Sequence, residues 1–186
     1  MQIREHLKTR KFDSEIHKVW IDEPNSIATF PLYNLSGTLK GYQQYRPKVF
    51  DKKSNDPRKS RYYTYRKGGF SVWGLESFHF TNQLFVLEGI FDACRLTNEG
   101  YSAIAILSSG MDKSVINFLN IVSKTREVIT ISDGDIGGSR LKKRQFKNID
   151  MPEGHDLASV DECFFQNFLV DMNIKDNYVH IEGDRK

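Results

Sequence analysis

The chain has 186 residues, of which 39% are hydrophobic and 27% charged, so it is long enough for one ordinary domain or two small lobes around a buried core. A membrane span needs about 18 apolar residues in a row, and no run in the chain approaches that length. The charged N-terminus lacks the apolar core of a secretory signal. The composition therefore predicts a globular, cytoplasmic protein with no membrane partner.

The cysteine pattern argues against a zinc site. Cys94 and Cys163 are far apart, and neither belongs to a C-x-x-C pair or has a histidine at finger spacing. We expect both to behave as small apolar residues, and no zinc to be bound.

The charge is divided unevenly along the chain. Residues 1–75 hold 15 Lys and Arg against 7 Asp and Glu, whereas residues 76–186 hold 12 against 17. The basic excess is densest over residues 40–67, where ten basic residues are interleaved with five tyrosines. This mixture suits phosphate contact combined with stacking on bases or sugars, although a solubilising charged hairpin has the same composition.

The first half of the chain predicts a small α+β lobe. A weak helical pattern covers residues 1–18, and strands are predicted over 27–33 and 38–45, with the turn "NLSG" between them. After a polar loop, "RYYTYRKGGF" and "SVWGL" predict two more short strands.

The second half alternates buried runs with amphipathic segments. "QLFVLEG", "YSAIAILSSG" and "REVITISDGD" predict strands, and "IFDACRLTNEG" and "MDKSVINFLNIVSK" predict helices between them. A basic helix is predicted in "GGSRLKKRQFKNI" and a terminal helix in "DLASVDECFFQNFLVDM". This alternation predicts a parallel sheet wound with right-handed crossovers.

Four acidic residues fall where the predicted strands end. Glu88 closes the first of them, and Asp133 and Asp135 follow the third with Gly134 between them. Asp92 follows Glu88 by four residues, which returns it to the same side once a helix has begun. Because ligands gather at the carboxyl ends of parallel strands, the four carboxylates are predicted to converge. Taken singly, each acid also fits a strand end, a first helical turn or a solvated Asp-Gly turn.

Converging carboxylates imply a cation. They repel one another and raise one another's pKa unless a positive charge compensates. An all-oxygen site suits Mg²⁺, with Mn²⁺ as a substitute, and Mg²⁺ commonly accompanies phosphate. The sequence therefore predicts a magnesium site at this edge of the sheet.

The order of the motifs resembles the Toprim domain of topoisomerases, bacterial-type primases and several nucleases, in "LFVLEGIFDACRLTNEGYSAIAILSSG" and "VITISDGDIGGSR". Upstream, "GTLKGYQQYRP", "RKSRYYTYRKGG" and "SVWGLESF" resemble the N-terminal half of the RNA polymerase core of DnaG-type primases. "MPEGHDLAS" resembles the Pro-x-Gly-x-Asp element that follows the Asp-x-Asp motif in those enzymes. The likeness spans roughly residues 27–159.

The resemblance implies an α/β fold in which a Toprim-type parallel sheet flanked by helices is preceded by a smaller basic α+β lobe. We expect this lobe to cover residues 1–76 and the Toprim metal-binding domain residues 77–160. A C-terminal helix and tail are expected over residues 161–186.

The resemblance also implies a DNA primase, a nucleotidyltransferase that makes RNA primers on single-stranded DNA from ribonucleoside triphosphates during replication. Its implied catalytic residues are Glu88, Asp133 and Asp135. The implied Mg²⁺ ligands are these three together with Asp156 and Asp92, of which Asp92 is expected to orient the others. The residues implied to bind nucleic acid or nucleotide are Arg46, Lys59, Arg61, Tyr62 and Lys67.

Two departures leave alternatives open. Ala158 stands where such primases often have a second acid, and we expect no zinc-binding module before the core. We therefore expect a minimal replication protein of the phage or plasmid kind, working in the host cytoplasm with a separate helicase and a separate zinc-module protein. A Toprim metal-dependent nuclease and a non-catalytic adaptor that binds single-stranded DNA are the alternatives. A topoisomerase would need a tyrosine nucleophile on a large gate domain, for which 186 residues leave no space.

Overall fold

A computed structural model describes residues 1–52, 54, 56–108, 110–134, 141 and 145–171. These residues form two four-stranded sheets with helices around them. Asp135 and most of the predicted basic helix lie outside the described residues.

The first sheet is antiparallel and belongs to the N-terminal half. Helix α1 precedes it, and its strands follow one another in the order β1-β2-β3-β4. One face of β2 is apolar, because Ala28, Phe30 and Leu32 alternate along it and are fully buried. The bounds are α1 Ile3–Thr9, β1 Trp20–Asp22, β2 Ile27–Tyr33, β3 Leu39–Tyr45 and β4 Tyr62–Arg66.

The second sheet is parallel, as the alternation of strands and helices predicts. Its order is β6-β5-β7-β8, so that β5, buried along its whole length, lies inside the sheet. The bounds are β5 Gln83–Leu87, α2 Ile90–Asn98, β6 Ala103–Ala105, α3 Lys113–Val122, β7 Glu127–Ser132, β8 Lys147–Asp150 and α4 Glu162–Asp171. None of the described helices is long and apolar enough to cross a membrane.

Three predictions from the sequence are wrong in detail. The predicted strand "SVWGL" forms only two isolated bridges and the start of a 3₁₀ turn, because Val72 and Trp73 pair with different strands. The end of the predicted basic helix is strand β8, an edge strand in which only Ile149 is buried, so its strand pattern is faint. The terminal helix begins at Glu162, because residues 156–159 form a turn and the Asp161 carboxylate caps the helix by accepting a hydrogen bond from the Phe164 amide at 2.7 Å.

A short segment joins the two sheets. Val72 bridges to Tyr33 at the end of β2, and Trp73 bridges to Ala105 at the end of β6. The rings of Phe12, Phe30 and Phe91 then meet between the sheets, with Phe12–Phe30 and Phe30–Phe91 centroids 4.9 and 5.8 Å apart. The basic half and the parallel sheet therefore share one core, with α2 at their junction.

Arg95 on α2 fixes the segment that follows the turn at residues 156–159. Its side chain is buried and donates hydrogen bonds to the carbonyls of Leu157, Val160 and Asp161 and to the Glu162 carboxylate. The guanidinium also lies 4.1 Å from the centre of the Phe165 ring. One side chain thus holds the last described part of the chain against α2.

Arg95→Met is expected to lower the free energy of unfolding by about 3 kcal/mol, because it leaves buried carbonyls without donors. Urea unfolding followed by tryptophan fluorescence measures this. Arg58→Met is the matched control, since the Arg58 side chain is 88% exposed, and it should change stability by less than about 0.5 kcal/mol. Equal effects of the two substitutions would contradict the role given to Arg95.

Candidate active site

Glu88 and Asp133 lie at the ends of neighbouring parallel strands. β5 and β7 pair with Val86 opposite Thr130, so continuing the register brings Glu88 level with Ser132, one residue before Asp133. Both acids are half-buried. Glu88 and Asp133 therefore lie at the same edge of the parallel sheet.

Gly134 joins this edge to the loop that carries Asp156. Its amide donates to the His155 carbonyl at 3.1 Å, and its carbonyl accepts from the Gly154 amide at 3.2 Å. A Cβ on Gly134 would collide with the Pro152 carbonyl oxygen and would lie 2.9 Å from the Glu153 Cα. Only glycine therefore permits the contact that brings Asp133 beside the loop of residues 152–156.

Asp92 lies beneath this contact, at the start of α2. It is 8% exposed, and its Oδ1 accepts a hydrogen bond from the Ala158 amide at 2.8 Å. Its other oxygen lies over Gly89, where a Cβ would collide with it. The resemblance leads one to expect a second acid at position 158. Ala158 instead contributes its backbone N–H, which donates to Asp92.

The charges of Asp133 and Asp156 act on Asp92. The pKa of Asp92 is raised to about 7, first by burial and then by the negative charges of Asp156 and Asp133. The Oδ1 atom of Asp156 is itself buried and has no hydrogen-bond partner in the described part of the chain. Asp92, Asp133 and Asp156 thus form one cluster of negative charge.

The donors of this cluster are carboxylate oxygens, which hard cations such as Mg²⁺ prefer. Among the described residues, no group of three or more His, Cys, Asp or Glu side chains is arranged to hold a metal ion. Mg²⁺, however, commonly uses only one or two protein carboxylates and completes its shell with water and substrate phosphate. Asp133 and Asp156, which both act on Asp92, are two such carboxylates, and Asp156 has an unpartnered oxygen to offer. Asp135 lies outside the described residues.

Tyr62 connects the basic lobe to the acids. Its ring stacks on Tyr45, with centroids 5.0 Å apart, and Tyr45 in turn packs edge-on against Phe91, the residue before Asp92. Burial raises the pKa of Tyr62 to about 12, and the charge of Asp92 contributes to this rise. The Tyr62 phenol therefore stays protonated beside the acidic cluster.

The other predicted nucleic-acid residues take different positions. Arg46 follows β3 and donates from Nη2 to the Gln44 side chain at 2.5 Å, while Lys59 is exposed in a short 3₁₀ turn. Arg61 donates to the carbonyls of Val49 and Phe50, and so holds the loop between β3 and β4. Lys67 is exposed and follows the last residue of β4, whereas Tyr62 is the first residue of that strand.

Sequence reasoning missed two charged residues near the cluster. The Arg10 guanidinium, just after α1, lies 4.6 Å from the centre of the Phe91 ring, and its charge acts to lower the pKa of Asp92. Asp150 ends β8 opposite Ser132 and accepts a hydrogen bond from its hydroxyl at 2.6 Å. Arg10 has no local sequence signal, and Asp150 was hidden by the incorrect helix prediction.

Solved structures share this architecture. A structure described as the DnaG catalytic core matches with a TM-score of 0.63 and 15% identity, over 94% of this chain and 72% of that chain. A second match is the RNA polymerase domain of Mycobacterium tuberculosis primase DnaG, bound to a double-stranded DNA oligomer with a 6-nucleotide overhang. It has a TM-score of 0.60 and 17% identity, over 92% of this chain and 63% of that chain. This chain has the fold of a DnaG-type primase catalytic core.

The primase-core fold is also present in the Aquifex aeolicus primase with its zinc-binding and RNA polymerase domains. That structure matches with a TM-score of 0.57 and 23% identity, over 81% of this chain and 40% of that one. The present chain therefore spans between 40% and 72% of the length of these three proteins. No protein-family model and no curated protein sequence matches it.

Gly134→Ala is expected to lower the free energy of unfolding by about 2–3 kcal/mol, because the new Cβ forces the backbones of residues 134 and 152–153 apart. Thermal or urea unfolding in the presence of a chelator measures this without any contribution from bound metal. Gly110→Ala is the control, because a Cβ there meets no atom within 4 Å. A Gly134→Ala protein as stable as Gly110→Ala would show that the contact does not constrain the site.

Asp92→Asn is expected to stabilise the metal-free protein at high pH. The pKa of Asp92 rises from 3.8 to about 7 on folding, so the folded chain retains a proton that the unfolded chain loses. Stability therefore falls as pH rises through this window and stays lower above it. The substitution removes that fall, which is worth roughly 2–4 kcal/mol at pH 8.

Urea unfolding in EDTA at pH 5 and pH 8 measures the effect of Asp92→Asn. Asp171→Asn, at the exposed end of α4, is the control and should keep the wild-type pH dependence. Parallel pH profiles for wild type and Asp92→Asn would contradict the raised pKa of Asp92.

Proposed function

We propose that the chain is a DNA primase core, a nucleotidyltransferase that joins ribonucleotides into an RNA primer on a single-stranded DNA template during replication. The observation that carries the proposal is the convergence of Asp92, Asp133 and Asp156 at the end of a parallel sheet, next to a sheet rich in basic and aromatic residues. The primase-core fold supports the same conclusion.

In this proposal Asp133 and Asp156 hold Mg²⁺, or Mn²⁺ in its place, together with Asp135 and Glu88. When bound, the metal supplies positive charge that holds the triphosphate and favours loss of the proton from the attacking hydroxyl. Asp92 is a positioning residue, because its carboxylate orders the turn after Asp156 through the Ala158 amide.

The chain's own cations would orient the nucleotide. The Arg10 guanidinium is fixed over Phe91 and, within the described part of the chain, forms no ion pair, so its donors can meet phosphate oxygens at the side of the acidic cluster. Lys59 supplies a more mobile charge on the loop that Arg61 holds. The Tyr62 phenol can donate a hydrogen bond to a sugar or phosphate oxygen, since its raised pKa keeps its proton in place.

The template and partners follow from this role. Single-stranded DNA and ribonucleoside triphosphates are the proposed substrates, and a separate helicase and a separate zinc-module protein are the proposed partners in the host cytoplasm. Two matched primase structures are described as bound to single-stranded or to double-stranded DNA, which supports DNA as the template here.

A primer-synthesis assay tests the proposal. Labelled ribonucleotides, single-stranded templates of varied sequence and Mg²⁺ or Mn²⁺ should give short RNA products, with and without an added helicase. Asp133→Asn and Glu88→Gln should reduce synthesis by about 100-fold or more, because each removes a charge needed by the metal. The control Asp171→Asn should retain wild-type synthesis.

The products discriminate between functions. Degraded template without RNA synthesis would replace the primase with a metal-dependent nuclease. Salt-sensitive DNA binding without either activity, in the presence of the helicase and zinc-module proteins, would leave a non-catalytic adaptor. Either result would overturn the proposal.

A further inference from the structure

Two open cavities on the surface of the protein meet at Leu35 and Phe78. The first has a volume of about 450 Å³ and lies between the segment before β1 and the end of β2, and the second, of about 720 Å³, lies against α3. Leu35 and Phe78 belong to the walls of both, so the two cavities form one continuous groove. The residues that define this apolar groove are Ile16, Leu35, Trp73, Phe78, Phe118 and Ile121.

Three aliphatic side chains at the apolar groove are open to solvent. Ile16 is 71%, Leu35 64% and Ile121 67% exposed. They come from three separate parts of the chain, namely the segment before β1, the turn between β2 and β3, and helix α3. Single exposed apolar residues are common, but several gathered around one groove are typical of a surface that binds another molecule.

The turn that carries Leu35 is fixed by its own hydrogen bonds. The Asn34 side chain accepts from the amides of Ser36 and Thr38 at 3.2 and 2.9 Å, and the Asn34 amide donates to the Thr38 carbonyl at 3.1 Å. Gly37 closes the turn with a φ of +72°, which glycine adopts without strain. Leu35 is therefore held at the junction of the two cavities, and little conformational entropy is lost when another molecule covers it.

Aromatic rings form the floor of the apolar groove, and they cover one another. The Phe118 ring centroid lies 4.6 Å from that of Phe70 and 5.9 Å from that of Phe78, at interplanar angles of 54° and 44°. The Arg126 guanidinium lies 4.3 Å from the centre of the Phe78 ring, and Trp73 is only 3% exposed. Rings that are tilted and covered in this way suit contact with apolar side chains and do not suit stacking of bases.

Positive charges lie at both ends of the apolar groove. Lys18 lines the first cavity, with its Nζ 5.6 Å from the centre of the Tyr33 ring. Lys124 and Arg126 line the second cavity. Within the described part of the chain, none of the ion pairs involves these three cations.

The acids at the apolar groove already have partners. Among the described residues, Glu76 is the only acid that lines either cavity, and its Oε1 lies 3.7 Å from Nδ1 of His17. Burial lowers the pKa of His17, but contacts with Cys94 and Glu76 raise it to about 10, so the imidazole is charged at neutral pH. Glu15 and Glu127, the acids next to the groove along the chain, also form ion pairs. The groove therefore keeps an excess of positive charge.

We propose that the apolar groove is a docking site for a segment of a partner protein that places an apolar side chain in each cavity and carries Asp or Glu beside them. Two cavities that meet at a fixed, exposed leucine suit two apolar anchors on a short length of chain. Cations without an ion pair at both ends suit acidic residues that flank the anchors. The aliphatic rim has no hydrogen-bond donors for phosphate, which favours a protein segment over a nucleic acid.

The apolar groove lies away from the acidic cluster. Phe78 and Arg126 precede β5 and β7, whereas Glu88 and Asp133 follow the same two strands. The six residues of β7 place the two sites about 20 Å apart. A segment bound in the groove leaves the acids uncovered, and its binding needs neither metal, nucleotide nor the proposed primase function.

Selection of random dodecapeptides displayed on phage, with the full chain as the immobilised target, tests the docking site. The selected peptides should combine at least two apolar residues with a net negative charge. Fluorescence anisotropy with a labelled selected peptide then measures its affinity. Leu35→Asp and Ile121→Asp should each weaken binding at least about ten-fold, because each puts a charge into the apolar contact. Lys124→Glu should weaken binding and reduce its dependence on salt.

Matched controls lie elsewhere on the surface. Val170→Asp puts a charge on an exposed apolar position of α4, and Lys52→Glu reverses an exposed charge in the loop after β3, so both should bind the peptide as the wild type does. Circular dichroism identifies any variant that does not fold, in which case the exposed Lys124→Glu decides.

Four results would overturn the proposal. The first is that no peptide is enriched or that basic peptides are enriched, and the second is that Leu35→Asp and Lys124→Glu bind the selected peptide as tightly as the wild type. The third is a dimer of the chain alone, seen by sedimentation equilibrium and lost in Leu35→Asp, which would assign the groove to a second copy. The fourth is binding of labelled single-stranded DNA that Leu35→Asp abolishes, which would assign the groove to nucleic acid.

Primer synthesis separates this proposal from the proposed function. Leu35→Asp should make primers as the wild type does in the absence of a partner, and Asp133→Asn should bind the selected peptide normally in EDTA, because the two sites lie at opposite ends of β7. If the wild type makes no primers but Leu35→Asp loses the peptide, the docking site stands and the primase proposal fails. Primer synthesis together with peptide binding that Leu35→Asp leaves unchanged has the opposite meaning.

Discussion

The backbone contact between Gly134 and the loop of residues 152–156 is the constraint on which the acidic site depends. It joins the end of β7 to the loop before α4, and so brings Asp133 and Asp156 to the same place. Both carboxylates then act on Asp92, whose burial at the start of α2 makes their repulsion strong. Keeping three acids this close, with one carboxylate oxygen unpartnered, lowers the stability of the folded chain. A bound cation would remove this loss of stability.

Helix α2 transmits this constraint to the rest of the molecule. On one side it carries Asp92, and on another Arg95 holds the carbonyls of the segment that follows Asp156. Through Phe91 it packs against Tyr45 and supports the Arg10 guanidinium, so the basic lobe meets the acids at a single helix. The antiparallel sheet has one face toward the cluster and one toward solvent.

Much of this arrangement follows from local sequence pattern, and the remainder depends on contacts between distant residues. The buried runs ending at Glu88 and Asp133 predict the parallel strands. Strand β8 was missed because an edge strand with one buried residue has almost no periodic signal. The separation of Tyr62 from Tyr63 onto opposite faces needs the strand register, and the position of Arg10 needs the tertiary packing of α1.

Direct binding of Mn²⁺ tests the central claim, that carboxylates from two loops converge on one cation site. Electron paramagnetic resonance measures free Mn²⁺ during a titration of the metal into the nucleotide-free protein at pH 8. The account predicts saturable binding by the wild type and at least about ten-fold weaker binding by both Asp133→Asn and Asp156→Asn, with unchanged binding by Asp171→Asn. Saturable binding that survives the first two substitutions unchanged, or no binding by the wild type at millimolar Mn²⁺, would contradict it.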